Sequence, residues 1–151
     1  MKRIALIALL AVGTLLLAAC SPRDVISVEE FTTRMEGAGH DVIDLTEGFA
    51  HIPGMVAFVF ADAGDFDVEF SVWETESAAR LQFNNIHRQL EDAAGNTRSY
   101  RSTSVANFNR FTQTTSGRFE ALVRVENTLL LIEASSGQRS AVEAVLDLLG
   151  Y

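Results

Sequence analysis

The sequence predicts an α+β domain, a mainly antiparallel sheet with helices packed on one face. Three observations carry this. Residues 65–73 alternate polar and apolar side chains at the two-residue period of a strand, and residues 118–134 gather an apolar set on one face when folded about a two-residue turn. Segments opening at Ser27, Thr75 and Ser136 carry apolar residues at helical spacing behind a hydroxyl side chain suited to cap a helix. Strands that follow one another in hairpins build antiparallel sheets, and helices then cover the apolar face.

The chain ahead of this domain is of a different kind. Met1-Lys2-Arg3 precedes an apolar run from Ile4 to Leu17, followed by Ala18, Ala19 and Cys20. Two cations, an apolar segment and small residues before a cut site are the parts of a secretory signal peptide. The apolar run counts fourteen residues, whereas a helix needs about 20 to span a bilayer. Residues 1–19 are therefore expected to be removed. Leu17-Ala18-Ala19-Cys20 resembles the lipobox of bacterial lipoproteins. The resemblance implies that Cys20 receives a thioether-linked diacylglycerol and becomes the new N-terminus, with acyl chains such as palmitate in the membrane. Burial is worth about 0.8 kcal/mol per methylene, and two chains hold stably where one is marginal. The expected location is the extracytoplasmic face of the cell membrane, with the membrane lipid as partner through a covalent anchor. Ser21 leaves the outer membrane open as a destination in a Gram-negative host.

Without residues 1–19 the chain has 132 residues, the size of one ordinary domain. The expected division is a lipidated cysteine and short linker over 20–26 and a single domain over 27–151. Lys2 and Arg3 fall in the leader, which leaves ten basic residues, all arginine, against twenty acids and a formal charge of −10. Such a surface is repelled by nucleic acid and by anionic lipid, so no nucleic-acid partner is expected and the anchor must supply attachment. Cys20 is the only cysteine, so the domain is held by packing rather than by disulfides. The linker Ser21 to Ile26 reaches no more than roughly 20 Å.

Ser27-Val28-Glu29-Glu30 has the form of a capping box, and Val28, Phe31 and Met35 share a face, which predicts a helix from Val28 to about Ala38. Asp41 to Leu45 reads as a short strand and Glu47 to Gly54 as a loop. Met55 to Phe60 and Asp65 to Trp73 form a hairpin. The second strand is expected to be half buried, with Phe66, Val68, Phe70 and Val72 inward and Asp65, Asp67, Glu69 and Ser71 in solvent. Thr75 caps a helix reaching about Glu91, with Ala79, Phe83, Ile86 and Leu90 inward. Ala93 to Ser104 is a loop or weak edge strand. In the hairpin Arg118–Val125 and Thr128–Ala134, the turn Glu126-Asn127 pairs Val125 with Thr128, Val123 with Leu130, Ala121 with Ile132 and Phe119 with Ala134. It also sets Glu120 against Glu133, which needs an arginine such as Arg118 between them. Asn107 to Thr115 is the preceding strand. A two-residue turn would put Arg110 on the apolar face, whereas a bulge at Gly117 would put Phe111 there, and the bulge is preferred. Ser136 caps a last helix from Gly137 to Leu149, with Ala141, Val145, Leu148 and Leu149 inward and Gly150 ending it. The order also allows a duplicated α-β-β-β unit, one copy opening at Ser27 and the other at Thr75, without residue-level identity between them.

The mature chain resembles a group of small bacterial lipoproteins, familiar from Gram-positive species, whose domain has no assigned activity. Val28-Glu29-Glu30-Phe31, Val68-Glu69-Phe70 followed by Glu76-Ser77-Ala78, Arg124-Val125-Glu126-Asn127-Thr128-Leu129 and Leu148-Leu149-Gly150-Tyr151 carry the resemblance. It implies a location and a fold, not a function.

Chemistry-bearing residues are sparse in pattern. Asp62, Asp65, Asp67 and Glu69 crowd one hairpin, but alternating acids on a strand make a solvated face and match no calcium loop, so no metal is expected. His40, His51 and His87 lie in three different segments, without the i, i+4 spacing of a zinc site. No nucleophile elbow is present, and no cofactor is expected. The marked asymmetry is Ala93 to Phe119, which holds Arg98, Arg101, Arg110 and Arg118 and no acid. Guanidinium forks suit phosphate and carboxylate, so these four are candidates for binding an anionic envelope polymer or an acidic partner. The simpler expectation is that they pair with the protein's own acids, Glu120 and Glu133 among them. Together these readings favour a non-enzymatic interaction module, over a small envelope hydrolase or an accessory lipoprotein of a membrane transporter.

Overall fold

The computed structural model describes residues 22–95, 99–105 and 107–151. The expected signal segment and lipobox, with Cys20, lie outside the described residues, as does Arg98. Chain order runs α1 (Val28–Gly37), β1 (Asp41–Asp44), α2 (Thr46–Phe49), β2 (Met55–Asp62), β3 (Asp67–Trp73), α3 (Glu76–Ala94), β4 (Ser99–Val105), β5 (Phe108–Thr114), β6 (Arg118–Val125), β7 (Thr128–Ser135), a 3₁₀ turn (Ser136–Gln138) and α4 (Arg139–Leu149). The seven strands form one sheet in the order β1-β2-β3-β7-β6-β5-β4, with every neighbouring pair antiparallel. The α+β class and the antiparallel sheet are as expected.

Helices occupy both faces of this sheet rather than one. On the first face α1 and α4 bring Phe31, Met35, Val142, Val145, Leu146 and Leu149 onto Val68, Phe70, Phe119, Ala121 and Val123. On the second, α3 lays Ala79, Phe83 and Leu90 against Trp73, Phe111, Leu122 and Leu129. Neighbouring residues of β6 thus face two different cores, which is why its burial is nearly continuous. The same two-sided cover corrects three sequence expectations. Glu69 and Ser71 do not stand in open solvent, since Ser71 is buried and Glu69 half-buried. The β5–β6 connection is the two-residue turn Ser116-Gly117, with Thr115 N–H donating to Arg118 O at 3.0 Å and Gly117 at φ +92°. Arg110 therefore lies opposite Val123, while Phe111, opposite Leu122, fills the second core, so no bulge is needed. An α-β-β-β duplication has no counterpart in the packing, because α1 and α3 lie on opposite faces and α3 is followed by four strands.

Local signals act where they were read. Ser27 Oγ accepts from Glu30 N–H and Thr75 Oγ1 from Ala78 N–H, capping α1 and α3. Pairing in the β6–β7 hairpin is as expected throughout, and Arg118 does bridge Glu120, at 3.3 Å, and Glu133. Ala93 to Ser104 contributes the exposed edge strand β4. The last helix departs from expectation. Its α-helical part starts at Arg139 behind the 3₁₀ turn, without a side-chain cap from Ser136. The buried stripe shifts accordingly to Val142, Val145, Leu146 and Leu149, leaving Leu148 39 % exposed. Gly150, at φ +86°, ends it as expected, and Tyr151 tucks into the core, where burial pushes its phenol up to about 12. The segment Glu47 to Gly54, read as a loop, holds the one-turn helix α2.

One buried charge has no precedent in the sequence reading. Arg124 is 2 % exposed, donating to Asn109 Oδ1 at 2.7 Å, Glu126 O at 2.8 Å and Glu76 Oε1 at 3.1 Å. It ties the start of α3 to the β6–β7 turn, where Glu126 takes φ 49°. Arg124→Met would leave a carbonyl and an amide oxygen without their donor, at a cost of about 2–3 kcal/mol. Glu76→Gln, at a half-exposed partner, should cost under about 1 kcal/mol. Urea unfolding of the two variants checks that order.

Candidate functional site

The four sequence-singled arginines separate. Arg98 lies outside the described residues. Arg118 sits on the α3 face, occupied by Glu120 and Glu133. Arg101 and Arg110 come together on the other face, because β4 pairs with β5 in a register that sets Arg101 opposite Thr112 and Thr103 opposite Arg110. Two arginines that the sequence reading passed over join them. Arg139 arrives from the first turn of α4, and Arg23 from the segment that precedes α1.

The segment carrying Arg23 is not a free tether. Arg23 N–H donates to Asn107 Oδ1 at 3.0 Å, Asn107 Nδ2 donates back to Arg23 O at 2.8 Å, and Ile26 is 3 % exposed in the first core. Among the described residues, contacts with the rest of the domain thus reach back to Arg23. Arg23 Nη1 donates to Gly150 O at 2.8 Å, and its guanidinium carbon lies 4.7 Å from the centre of the Phe108 ring.

Arg23, Arg101, Arg110 and Arg139 line one groove of about 240 Å³ with Thr103, Phe108, Thr112 and Glu143. Glu143 is its only acidic side chain. It binds Arg110 directly and stands 3.8 Å from Arg139 Nε. Arg110 also reaches Tyr151 O at 3.4 Å, and Arg139 lies over the Phe119 ring at 5.3 Å. Arg101 has no partner among the described residues. The expectation that the arginines pair internally thus describes Arg118 and Arg110 and leaves Arg101 unmatched. Four guanidinium groups around one carboxylate side chain leave a strong local positive charge in an acidic protein, with donors in the fork geometry that oxyanions accept.

The opposite face carries a second concavity, an apolar cleft of about 230 Å³ between α2 and α3. Phe49, Met55 and Phe58 form one wall, Gln82 and Ile86 of α3 the other, and Glu69, Ser71, Trp73, Leu129 and Leu131 the floor. Ser71 Oγ accepts from Trp73 Nε1 at 3.0 Å. The Glu69 carboxylate has no hydrogen bond or ion pair among the described residues. Burial, then the charges of Glu133 and Asp67, hold its carboxyl above the usual glutamate range. Such a group contributes stability that is fully present below its ordinary value of 4.5 and is lost as pH rises through the raised one. Glu69→Gln should therefore raise the urea midpoint at about pH 7, with little change at about pH 4.

The histidines do not converge. His51 is exposed against the Phe49 ring at 6.5 Å, and His40 follows α1. His87 packs against Phe111 at 4.1 Å, with Nε2 buried, lacking a hydrogen bond and 3.9 Å from Glu91 Oε1. In the acidic hairpin Asp62 accepts from Gly64 N–H at 2.7 Å and Asp65 from Gln138 at 2.8 Å. Among the described residues no three His, Cys, Asp or Glu side chains are placed to share a metal ion, and no helix is long and apolar enough to cross a membrane.

Sequence comparison with family profiles and with curated proteins finds no match. Among solved structures, the crystal structure of a GTP binding regulator from Thermotoga maritima is similar, with a TM-score of 0.51 and 14 % identity over 85 % of this chain and 91 % of that one. The likeness is one of fold.

Proposed function

We propose that this chain is a lipid-anchored, extracytoplasmic, non-enzymatic binding module that holds an anionic group of an envelope component close to its membrane. The supporting observation is the groove in which Arg23, Arg101, Arg110 and Arg139 surround the single carboxylate side chain of Glu143. Its position adds to the reading. Arg23 is three residues from Cys20, so the backbone keeps this edge of the groove within about 10 Å of the anchor point. A polymer or acidic protein lying along the membrane would meet the arginines first, while the rest of the acidic surface repels it.

Arg101, without a partner among the described residues, is the arginine an incoming phosphate or carboxylate captures at least cost, with Arg139, only loosely held by Glu143, completing the clamp. Each charge-assisted contact is worth about 1.5–3 kcal/mol, and 1.4 kcal/mol is a factor of ten. With the chain in phosphatidylcholine vesicles and a short polyphosphate as probe, Arg101→Ala should weaken binding by about tenfold and Arg101→Ala with Arg139→Ala by about a hundredfold. Arg118→Ala, on the opposite face, should leave binding unchanged. Equal binding by the double variant and the parent would refute the groove.

A further inference from the structure

We propose that the cleft between α2 and α3 is a binding site for a small apolar amine, an aromatic ring or short hydrocarbon chain carrying a protonated nitrogen. The apolar part lies along Trp73 and Leu129, and the ammonium meets Glu69. This site is on the other face of the sheet from the arginine groove and stands whether or not the groove binds anions.

Size and lining set the apolar half of the ligand. An apolar cavity of about 150 Å³ is enough to hold benzene, and this cleft, at about 230 Å³, is walled by phenyl, indole, thioether and aliphatic groups. Few polar atoms compete within it, since the Ser71 hydroxyl is taken by the Trp73 indole N–H.

Charge sets the other half. Glu69 stands at the cleft floor without an ion-pair partner among the described residues. Glu69 is the one carboxylate in the lining, and Asp67, two residues away on the same strand, lies opposite Glu133 in the sheet, so further negative charge stands near it rather than a counter-ion. Arg118 is the neighbouring cation, but it is spent on Glu133 and Glu120. A glutamine would fill the same space without the repulsion, so this position carries a charge that destabilises the empty protein. A ligand ammonium supplies the missing counter-ion and donates hydrogen bonds to Glu69. A neutral ligand of equal size would deepen the burial of Glu69 without pairing it, and a carboxylate would be repelled.

Trp73 is the only tryptophan of the chain, so its emission reports the cleft directly. The chain, purified as cells make it and held in phosphatidylcholine vesicles, is titrated with 2-phenylethylamine, 2-phenylethanol and 3-phenylpropionate, three ligands that share a ring and differ in charge. Saturable changes in Trp73 emission should show the amine binding at least about tenfold tighter than the alcohol, and the carboxylate weakest. Glu69→Gln should bring the amine down to the level of the alcohol while leaving alcohol binding within about twofold, which separates lost pairing from a collapsed cleft. The proposal is overturned if the amine gives no saturable change, if the carboxylate binds as well as the amine, or if Glu69→Gln keeps the preference.

Discussion

Phe31→Ala should lower the unfolding free energy by about 3–5 kcal/mol, among the largest losses expected from a single side chain in the domain. Phe31 is 0 % exposed and stacks on Phe70 of β3 with ring centres 4.7 Å apart and planes 8° from parallel. That contact joins α1 to one of the central strands. Removing the ring loses both its burial and its stacking, and α1 is held to α4 by Arg34 Nη1 donating to Leu148 O at 3.0 Å, so it cannot easily slide in to close the hole. A domain stable by about 5–15 kcal/mol would lose a large fraction of its margin. Leu81→Ala, at a position 64 % exposed on α3, serves as the control and should fall within about 0.5 kcal/mol of the parent. Urea unfolding followed by circular dichroism reads both; a Phe31→Ala cost below about 1 kcal/mol would contradict the packing described.

The second large effect concerns location. Cys20→Ala should move the protein out of the membrane fraction or leave it unprocessed. A single apolar segment too short to span the bilayer is cut away in the proposed maturation, and the exposed surface of the domain is acidic, so little remains to hold it once the acyl chains are missing. Arg23 sharpens this expectation. Because the chain is fastened to Asn107 and Gly150 at that residue, only Ser21 and Pro22 separate Cys20 from this point of attachment. On the proposed anchoring, a domain held that close would not sample the periplasmic or extracellular space widely, and its groove would meet whatever lies at the membrane surface. Fractionation of cells carrying the variant tests the point, and normal membrane retention of a cleaved Cys20→Ala protein would defeat it.

Much of the fold was legible because its signals are local. Ser27 and Thr75 cap the helices they precede, and the register of the β6–β7 hairpin follows from a two-residue turn and one apolar face. Helix placement was harder, since periodicity within a strand says which residues share a face and not what covers it. A signal was present nonetheless. Leu122, Leu129 and Leu131 carry apolar bulk at the opposite parity from Val123 and Leu130, as a sheet covered on both sides requires. Reading β5 for one apolar face forced a choice between Arg110 and Phe111, when both positions are used, one beside Glu143 and one under α3. The arginine groove was only half visible for a different reason. Arg101 and Arg110 share a hairpin, but Arg23 and Arg139 come from opposite ends of the domain, and only the packing of α4 beside the N-terminal segment brings them together. The apolar cleft needed the same knowledge, since Glu69 reads as a solvated strand residue until α2 and α3 are placed around it.

Lipidation of Cys20 is the premise on which location, orientation and the exposure of the groove to the membrane surface all depend. Mass spectrometry of the protein extracted from membranes tests it most directly. The expected result is an N-terminal peptide that begins at Cys20 and carries a diacylglycerol on its sulfur. A peptide running uncut through Leu17-Ala18-Ala19-Cys20, or one with a free thiol at Cys20, would contradict it.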